Sequence, residues 1–457
     1  MAAKIPGNGV ESSGAFTVGA AGTASSLAGI PFFSDTTNGS IYTHDVSGTD
    51  DTAADNTAFG LNALDAITTG DYNVGIGKSA LSANNTGHSN VAVGASSQLS
   101  MTSGNTNTSI GNNSLYSCTV GDRNTAVGAN AFYALEPSSN SDMENVAVGF
   151  SAGRFNTTGD YNTFLGAQSG YSVTTGAQNT LVGRYAGGGF DTENHNIAIG
   201  RNALGGSVAG GEYNVCIGNF SLDALTSADS NTAVGYNAGS SITTGGGNVF
   251  IGHETGVNSI EVDTGTDNIL IGFQARANQT NAANQISLGK QITCQGDNNF
   301  TFGNGGTDSN IVFGATSITA PSDERYKEEI ATSTAGLSFI NDLRPVIFKW
   351  KKEKDLPSDH ESYVEGSDTR VMLSTGETNH GFIAQEVKAA IDAHSEIKDG
   401  FKMWSEEQRY DIDGNVIADG RQRVAPSELI PVLTKAVQEL SAQVTTLQNE
   451  VTTLKGE

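Results

Sequence analysis

The sequence predicts a mainly β chain: a trimeric β-solenoid or β-roll shaft of about 17-residue repeats, then a small α+β domain and a C-terminal coiled coil. Three observations carry that expectation. Asparagine followed four residues later by glycine recurs from Asn56 to Asn268, the composition changes abruptly at Ser322, and apolar residues from Leu433 onward alternate in steps of four and three. The implied boundaries are 1–55 for an N-terminal region, 56–316 for the shaft, 317–321 for a linker, 322–430 for the second domain and 431–457 for the coil.

Residues 1–55 lie outside the repeat and combine Gly, Ala and Ser with an apolar cluster at Ile30, Phe32 and Phe33. The ladder then reads N-T-A-F-G from Asn56, N-V-G-I-G from Asn73 and N-V-A-V-G from Asn90. It continues through Asn107, Asn124, Asn145, Asn162, Asn179, Asn196, Asn214, Asn231, Asn248 and Asn268. Gln285 then stands in for the asparagine before Gly289, and Asn299 and Asn310 open N-F-T-F-G and N-I-V-F-G. A second glycine three residues before the asparagine, as at Gly70, Gly87 and Gly176, marks a second turn that needs positive φ or close approach by the next coil. Seven residues beyond the asparagine the side chain stays small, as at Ala63, Ser114 and Ala186. Between asparagine and glycine the first and third residues are mostly Thr, Val, Ile or Leu, which predicts a short strand that turns this face inward.

Coils stacked about 4.8 Å apart make Asn56 to Gly314 a rod of roughly 70 Å. So small a coil, filled with Ala, Ser and Val, buries little area at about 25 cal/mol per Å². One chain is under-cored, and several parallel chains, three by expectation, would cover the remaining apolar residues.

Fifty-seven glycines in 457 residues, 7% aromatics and 16% charged residues exclude an ordinary helical or doubly wound enzyme. Glycine does not fall at every third place, which excludes collagen, and a phased ladder of β-branched residues argues against disorder. The formal net charge is −25, with 8 Lys/Arg against 24 Asp/Glu in residues 1–321 and 16 against 25 in 322–457. Acidity of this extent disfavours nucleic acid and anionic membrane surfaces as direct partners.

Cys118, Cys216 and Cys294 are too scattered for a disulfide framework and read as small repeat fillers. The seven histidines, His44, His88, His195, His253, His360, His380 and His394, show no metal-ligand spacing, and no metal or cofactor is expected. Aspartates of the repeat lack the regular spacing of calcium solenoids and read as turn formers. Threonine pairs such as Thr174-Thr175 are too irregular for an ice-facing ladder. No segment reads as an export signal or is apolar enough to enter a membrane.

At Ser322 the sequence S-D-E-R-Y-K-E-E-I opens a segment rich in Lys, Glu and long apolar residues. L-R-P-V-I-F-K-W from Leu343 and G-F-I-A-Q-E-V from Gly381 read as core elements, and Lys351 to Glu377 as a polar insertion. In the last segment Leu433, Val437, Leu440, Val444, Leu447, Val451 and Leu454 form a coiled-coil seam. Valine at a and leucine at d lean toward a dimer, a preference that a coil this short yields to the rest of a trimer.

The Ser322 block has two readings from its residues alone. In one, Ser322 is the N-cap of a helix with acidic residues in its first turn. In the other, Ser322 is a nucleophile and Lys327, five residues on, is its base, since a desolvated lysine can take a serine proton. The bond Pro321-Ser322 already lies beside that hydroxyl, so proximity supplies a high effective molarity. Proline before Ser322 restricts how the scissile carbonyl is presented.

Ser322-Asp323-Glu324-Arg325-Tyr326-Lys327, followed by L-R-P-V, G-F-I-A-Q-E-V and a terminal coil, resembles the C-terminal intramolecular chaperone domain of phage tailspikes and tail fibres, the endosialidase-type self-cleaving peptidase. The repeats resemble, more weakly, trimeric autotransporter adhesin heads and phage fibre shafts. The resemblance implies that the domain trimerises, aligns three chains and then cuts itself off before Ser322. Ser322 and Lys327 would be catalytic in a single turnover, with Asp323 and Arg325 shaping the turn or bridging chains. The implied protein is a virion tail fibre or receptor-binding protein, made in the host cytoplasm. Its N-terminal region would join other tail or baseplate proteins, or simply cap the solenoid. The protein would meet a host receptor, a glycan or outer-membrane component. The alternatives are a bacterial trimeric adhesin, disfavoured by the missing export signal and anchor, and a glycan-degrading tailspike, disfavoured by an uninterrupted repeat that offers no groove for a carboxylate pair.

Overall fold

A coil of about 17 residues can close on itself only if several residues per turn bend the chain sharply, and four positions do so here. The residue before each asparagine is left-handed, as at Tyr72 (φ 59°) and Tyr161 (φ 55°), and so, in the coils from Asn56 to Asn248, are the sixth and eighth residues after it, as at Ser79 (φ 57°) and Leu81 (φ 52°). The fourth is always glycine in the ladder, because it adopts φ near that of Gly166 (137°), which side-chain-bearing residues avoid. A Cβ there would also stand 2.6 Å from the Gly183 carbonyl oxygen of the next coil. The glycine three residues before the asparagine has a different reason. Gly176 has no positive φ, but a Cβ on it would lie 2.5 Å from the Glu193 carbonyl oxygen.

The computed structural model describes residues 25–27, 30–35, 39–43, 52–139, 141–207, 209–257, 262–315, 318–319, 322, 324–358, 362–371, 377–398, 401–406, 409–410, 416–417 and 422–456. The chain divides into two compact units, Met1–Ser322 and Asp323–Glu457.

The first unit is a β-solenoid whose three-residue strands stack in parallel, one per coil and in constant register. Val146–Val148, for example, lies between Thr125–Val127 and Thr163–Leu165. An antiparallel hairpin closes each end. Ser25–Leu27, Ile30–Asp35 and Ser40–Tyr42 precede the first coil, and Asn299–Asn304 turns back as Thr307–Val312 after the last. Open strand edges template unwanted pairing, and these hairpins end the parallel ladder at both sides. The apolar residues Ile30, Phe32 and Phe33 belong to the first hairpin, while most of 1–55, with His44, lies outside the described residues.

The asparagines form a second, buried ladder. Each backbone N–H donates to the side-chain Oδ1 of the asparagine one coil earlier, as from Asn73 to Asn56 (2.8 Å), Asn162 to Asn145 (2.8 Å) and Asn248 to Asn231 (3.0 Å). Most Nδ2 groups donate to the backbone carbonyl at the following turn, usually a glycine's, as from Asn162 to Gly176 (2.8 Å), and to that of Glu193 from Asn179 (2.7 Å). Ser40 begins the chain by accepting from Asn56, and Gln285 ends it by donating to Asn268. Threonines bind successive coils similarly: Thr157 Oγ1 donates to the Thr174 carbonyl, and Thr174 Oγ1 to that of Asp191.

The inward face of the strand differs from the sequence expectation. The middle residue points inward, as with Ala58, Ala92, Phe164, Leu181 and Phe250, and the β-branched first and third residues face out. The reason is space, because beside the strand the narrow interior has room for only one large side chain between the strand centre and the eighth residue after asparagine. At Ala58 and Ala126 the strand centre is small and the eighth residue after asparagine is large (Leu64, Phe132), and all four are buried. Where the centre is Phe164, Leu181 or Phe250, the eighth position is Gly170, Gly187 or Gly256. At Gly170 a Cβ would come within 2.8 Å of the Phe164 ring. The small residues Ala63, Ser114 and Ala186 are all buried as well.

This complementarity predicts non-additive energetics. Phe164→Ala is expected to cost about 3–5 kcal/mol through lost burial and a cavity. Gly170→Leu alone overpacks the ring, whereas the double variant recreates the Ala58/Leu64 pairing, with Leu at a φ of the kind Leu64 already adopts (52°). Denaturant midpoints should place the double variant above Phe164→Ala; a double variant at the sum of the two single losses contradicts the pairing.

The cysteines fill the same interior. All three are free and buried, and burial pushes the Cys118 thiol up to about 12 and Cys216 well above its usual value, so neither is a ready nucleophile.

The second unit packs helix α1 (Leu337–Asp342), helix α2 (Ala384–Ala393) and the start of helix α3 (Leu429–Leu454) around a small core. Phe339, Val387, Ile391, Met403, Leu429 and Val432 are its buried centre. Two-stranded antiparallel pairs, Val346–Phe348 with Asn379–Gly381 and Trp404–Glu406 with Gln422–Val424, complete the α+β unit. Within Lys351–Glu377 the described residues hold one 3-10 turn, Glu353–Asp355, and His360 lies outside them.

Candidate functional site

The motif blocks that stand apart in the sequence meet in the second unit. The strand Val346–Phe348 of the L-R-P-V-I-F block pairs with Asn379–Gly381, which leads into G-F-I-A-Q-E-V. Arg344 then grips Glu386 through both guanidinium arms, with Nε 2.9 Å from one carboxylate oxygen, and this hydrogen-bonded guanidinium lowers the Glu386 pKa. Glu439, well along α3, accepts the backbone N–H of Leu337 at 2.8 Å and so fastens α3 to the first turn of α1. His380 sits in the strand opposite Ile347 with its side chain exposed.

His394 was not singled out by sequence reasoning, yet it joins two helices. At the end of α2 its Nε2 lies 2.8 Å from Asp342 of α1 and its Nδ1 3.0 Å from Glu396, with the Phe339 ring edge-on beside it. Hydrogen bonds to Asp342, then to Glu396, raise its pKa. The protonated form is therefore favoured by folding. Its stabilisation is fully present below the ordinary histidine value of about 6.5 and is lost as pH rises through the higher folded value. Both tryptophans, Trp350 and Trp404, lie in this unit, so their fluorescence reports its unfolding. The denaturation midpoint should fall between about pH 6 and pH 8, and His394→Gln should flatten that slope. An unchanged slope in the variant assigns the pH dependence elsewhere.

The Ser322 block forms a single 3-10 turn, Glu324–Tyr326, closed by the Lys327 N–H on the Glu324 carbonyl at 3.0 Å, and not the start of an α-helix. Ser322 and Lys327 fall on either side of the division between the units, and both are exposed, as is Arg325. Pro321 and Asp323 lie outside the described residues. Just upstream, Thr319 exchanges backbone hydrogen bonds with Asn310 of the last hairpin (2.8 and 2.7 Å).

Every residue of the expected coiled-coil seam lies on α3. Leu433, Val437, Leu440, Val444, Leu447, Val451 and Leu454 are all exposed in the single chain, from 44% at Leu433 to 87% at Leu454. The other side of the helix start, Leu429, Val432 and Ala436, is buried in the unit's own core.

Among the described residues no group of three His, Cys, Asp or Glu is placed to hold a metal, and no helix is long and apolar enough to cross a membrane. The repeat aspartates serve neighbouring coils, Asp71 accepting from Ala54 N–H at 2.8 Å and Asp229 from Glu212 N–H at 2.8 Å.

Neither the curated proteins nor the solved structures contain a match to this chain. Residues 322–396 match the family model described as chaperone of endosialidase, a match that begins at Ser322 and takes in the paired L-R-P-V and G-F-I-A-Q-E-V blocks. Behind a β-solenoid shaft of the fibre or tailspike kind, the chain thus carries an intramolecular chaperone domain of the endosialidase type.

Proposed function

We propose that this protein is a trimeric phage virion fibre, a tail fibre or receptor-binding protein for host attachment, whose C-terminal domain assembles three chains and then removes itself. The observation that carries the reading is the chaperone match beginning at Ser322, directly behind a repeat shaft. The exposed seam of α3 supports trimerisation, since seven apolar residues on one helix need partner helices.

In the proposed cleavage, Ser322 Oγ attacks the carbonyl carbon of Pro321 while Lys327 takes the hydroxyl proton. The C–N bond to Ser322 breaks, its nitrogen receives that proton, and the acyl group passes to oxygen as an ester. Water hydrolyses the ester, restoring the hydroxyl and leaving a carboxylate on Pro321. Arg325 and Asp323 orient the turn. A lysine acts as base only when desolvation favours its neutral form, and Lys327 is exposed in the single chain. Neighbouring chains of the trimer supply the missing cover, which orders the events: association first, cleavage second.

The mature fibre then consists of residues 1–321, with its N-terminal region joined to tail or baseplate proteins and its shaft presented to a host glycan or outer-membrane component. Native mass measurement of Ser322→Ala should give a full-length trimer; a monomer overturns the assembly reading.

A further inference from the structure

We infer that copies of this chain meet along the outward face of the strand ladder, which lies at the centre of the shaft assembly; this rests on the trimer reading. Nothing outward on this face carries charge. From Thr57 to Phe302 the first and third strand residues are Thr, Val, Ile, Leu or Phe, in a chain that is 16% charged. Ile76, Ile110, Leu165, Ile199, Ile217 and Ile251 keep 38–45% of their surface exposed, stacked one per coil.

Area and charge both point to a second copy as the occupant. Ten large residues of the two rows are at least 37% exposed. At roughly 150 Å² for a whole side chain of this size they offer on the order of 600 Å². The Val and Thr residues between them bring the face to about the 800 Å² per partner of a stable interface. The flanks differ in sign. Just after the strand the chain carries Lys78, Arg184, Arg201 and Lys290, with Glu254 the one anion, and just before it Asp71, Asp160, Glu212 and Asp229. Arg123, a cation on the acidic flank, is paired within its own chain to Asp142 and Glu144. In a heterologous ring the basic flank of one copy lies against the acidic flank of the next. A partner with the same coil spacing also keeps this fit along the whole ladder, as a globular protein would not.

The test uses the full chain carrying Ser322→Ala together with Ile217→Cys, Ile199→Cys or, as a control outside the face, the exposed position Thr244→Cys. Native mass and labelling by a water-soluble maleimide are measured on the same samples. The inference expects a trimer in which the 199 and 217 thiols label at least tenfold more slowly than the 244 thiol. A trimer whose face thiols label as fast as the control overturns the inference and leaves the trimer reading standing. A folded monomer overturns both. If Ile217→Cys fails to fold, Ile199→Cys carries the same comparison.

Discussion

Replacing Asn162 by alanine should destabilise the shaft by about 2–6 kcal/mol, since it orphans two buried groups at once at about 1–3 kcal/mol each. The Asn179 N–H loses its acceptor, Asn162 Oδ1 at 3.0 Å, and the Gly176 carbonyl loses its donor, Asn162 Nδ2 at 2.8 Å. Asn162 is fully buried, so water cannot replace either partner. Asn162→Asp keeps the acceptor but faces a carboxylate oxygen to the Gly176 carbonyl, and should be no better tolerated. Because each coil touches only its neighbours, the damage should be local. Hydrogen exchange is expected to rise in the coils starting at Asn145, Asn162 and Asn179, with coils near Asn56 unchanged. A loss below about 1 kcal/mol would contradict the role given to the ladder.

That ladder was legible in outline from the sequence, because asparagine and glycine hold one fixed spacing over many turns only in a chain that coils with a fixed period. Which way the strand faced was not. Hydrophobicity alone assigns Val and Ile to the interior, yet the coil is too narrow for both rows, and the sequence records this in the reciprocal sizes of Phe164 and Gly170 or Ala58 and Leu64. In the second unit the Arg344–Glu386 pair lay within the two blocks singled out from the sequence, so its partners were visible though their contact was not. The contact of His394 with Asp342 spans 52 residues, and no local pattern announces it.

Loss of cleavage in Ser322→Ala and Lys327→Ala is the second large effect, expected to be all-or-none. Alanine at 322 would remove the proposed attacking oxygen, and alanine at 327 the proposed base. Proximity of hydroxyl and scissile bond still leaves a serine that is poorly nucleophilic at neutral pH. Lys327→Arg should also fail, because a guanidinium does not give up its proton in this range. Disrupting association should block cleavage as well: Leu440→Asp with Leu447→Asp charges an exposed seam without touching the domain core, and should yield uncut chains. The two residues of the proposed site come from the sequence alone, while its proposed dependence on neighbouring chains rests on the exposure of Lys327.

The most direct test is the intact mass, under denaturing conditions, of freshly assembled wild type beside Ser322→Ala and Lys327→Ala. The account predicts two wild-type fragments, residues 1–321 and a fragment beginning at Ser322, and a single full-length species in each variant. A wild type that stays whole after assembling, or a variant that is cut as the wild type is, contradicts it.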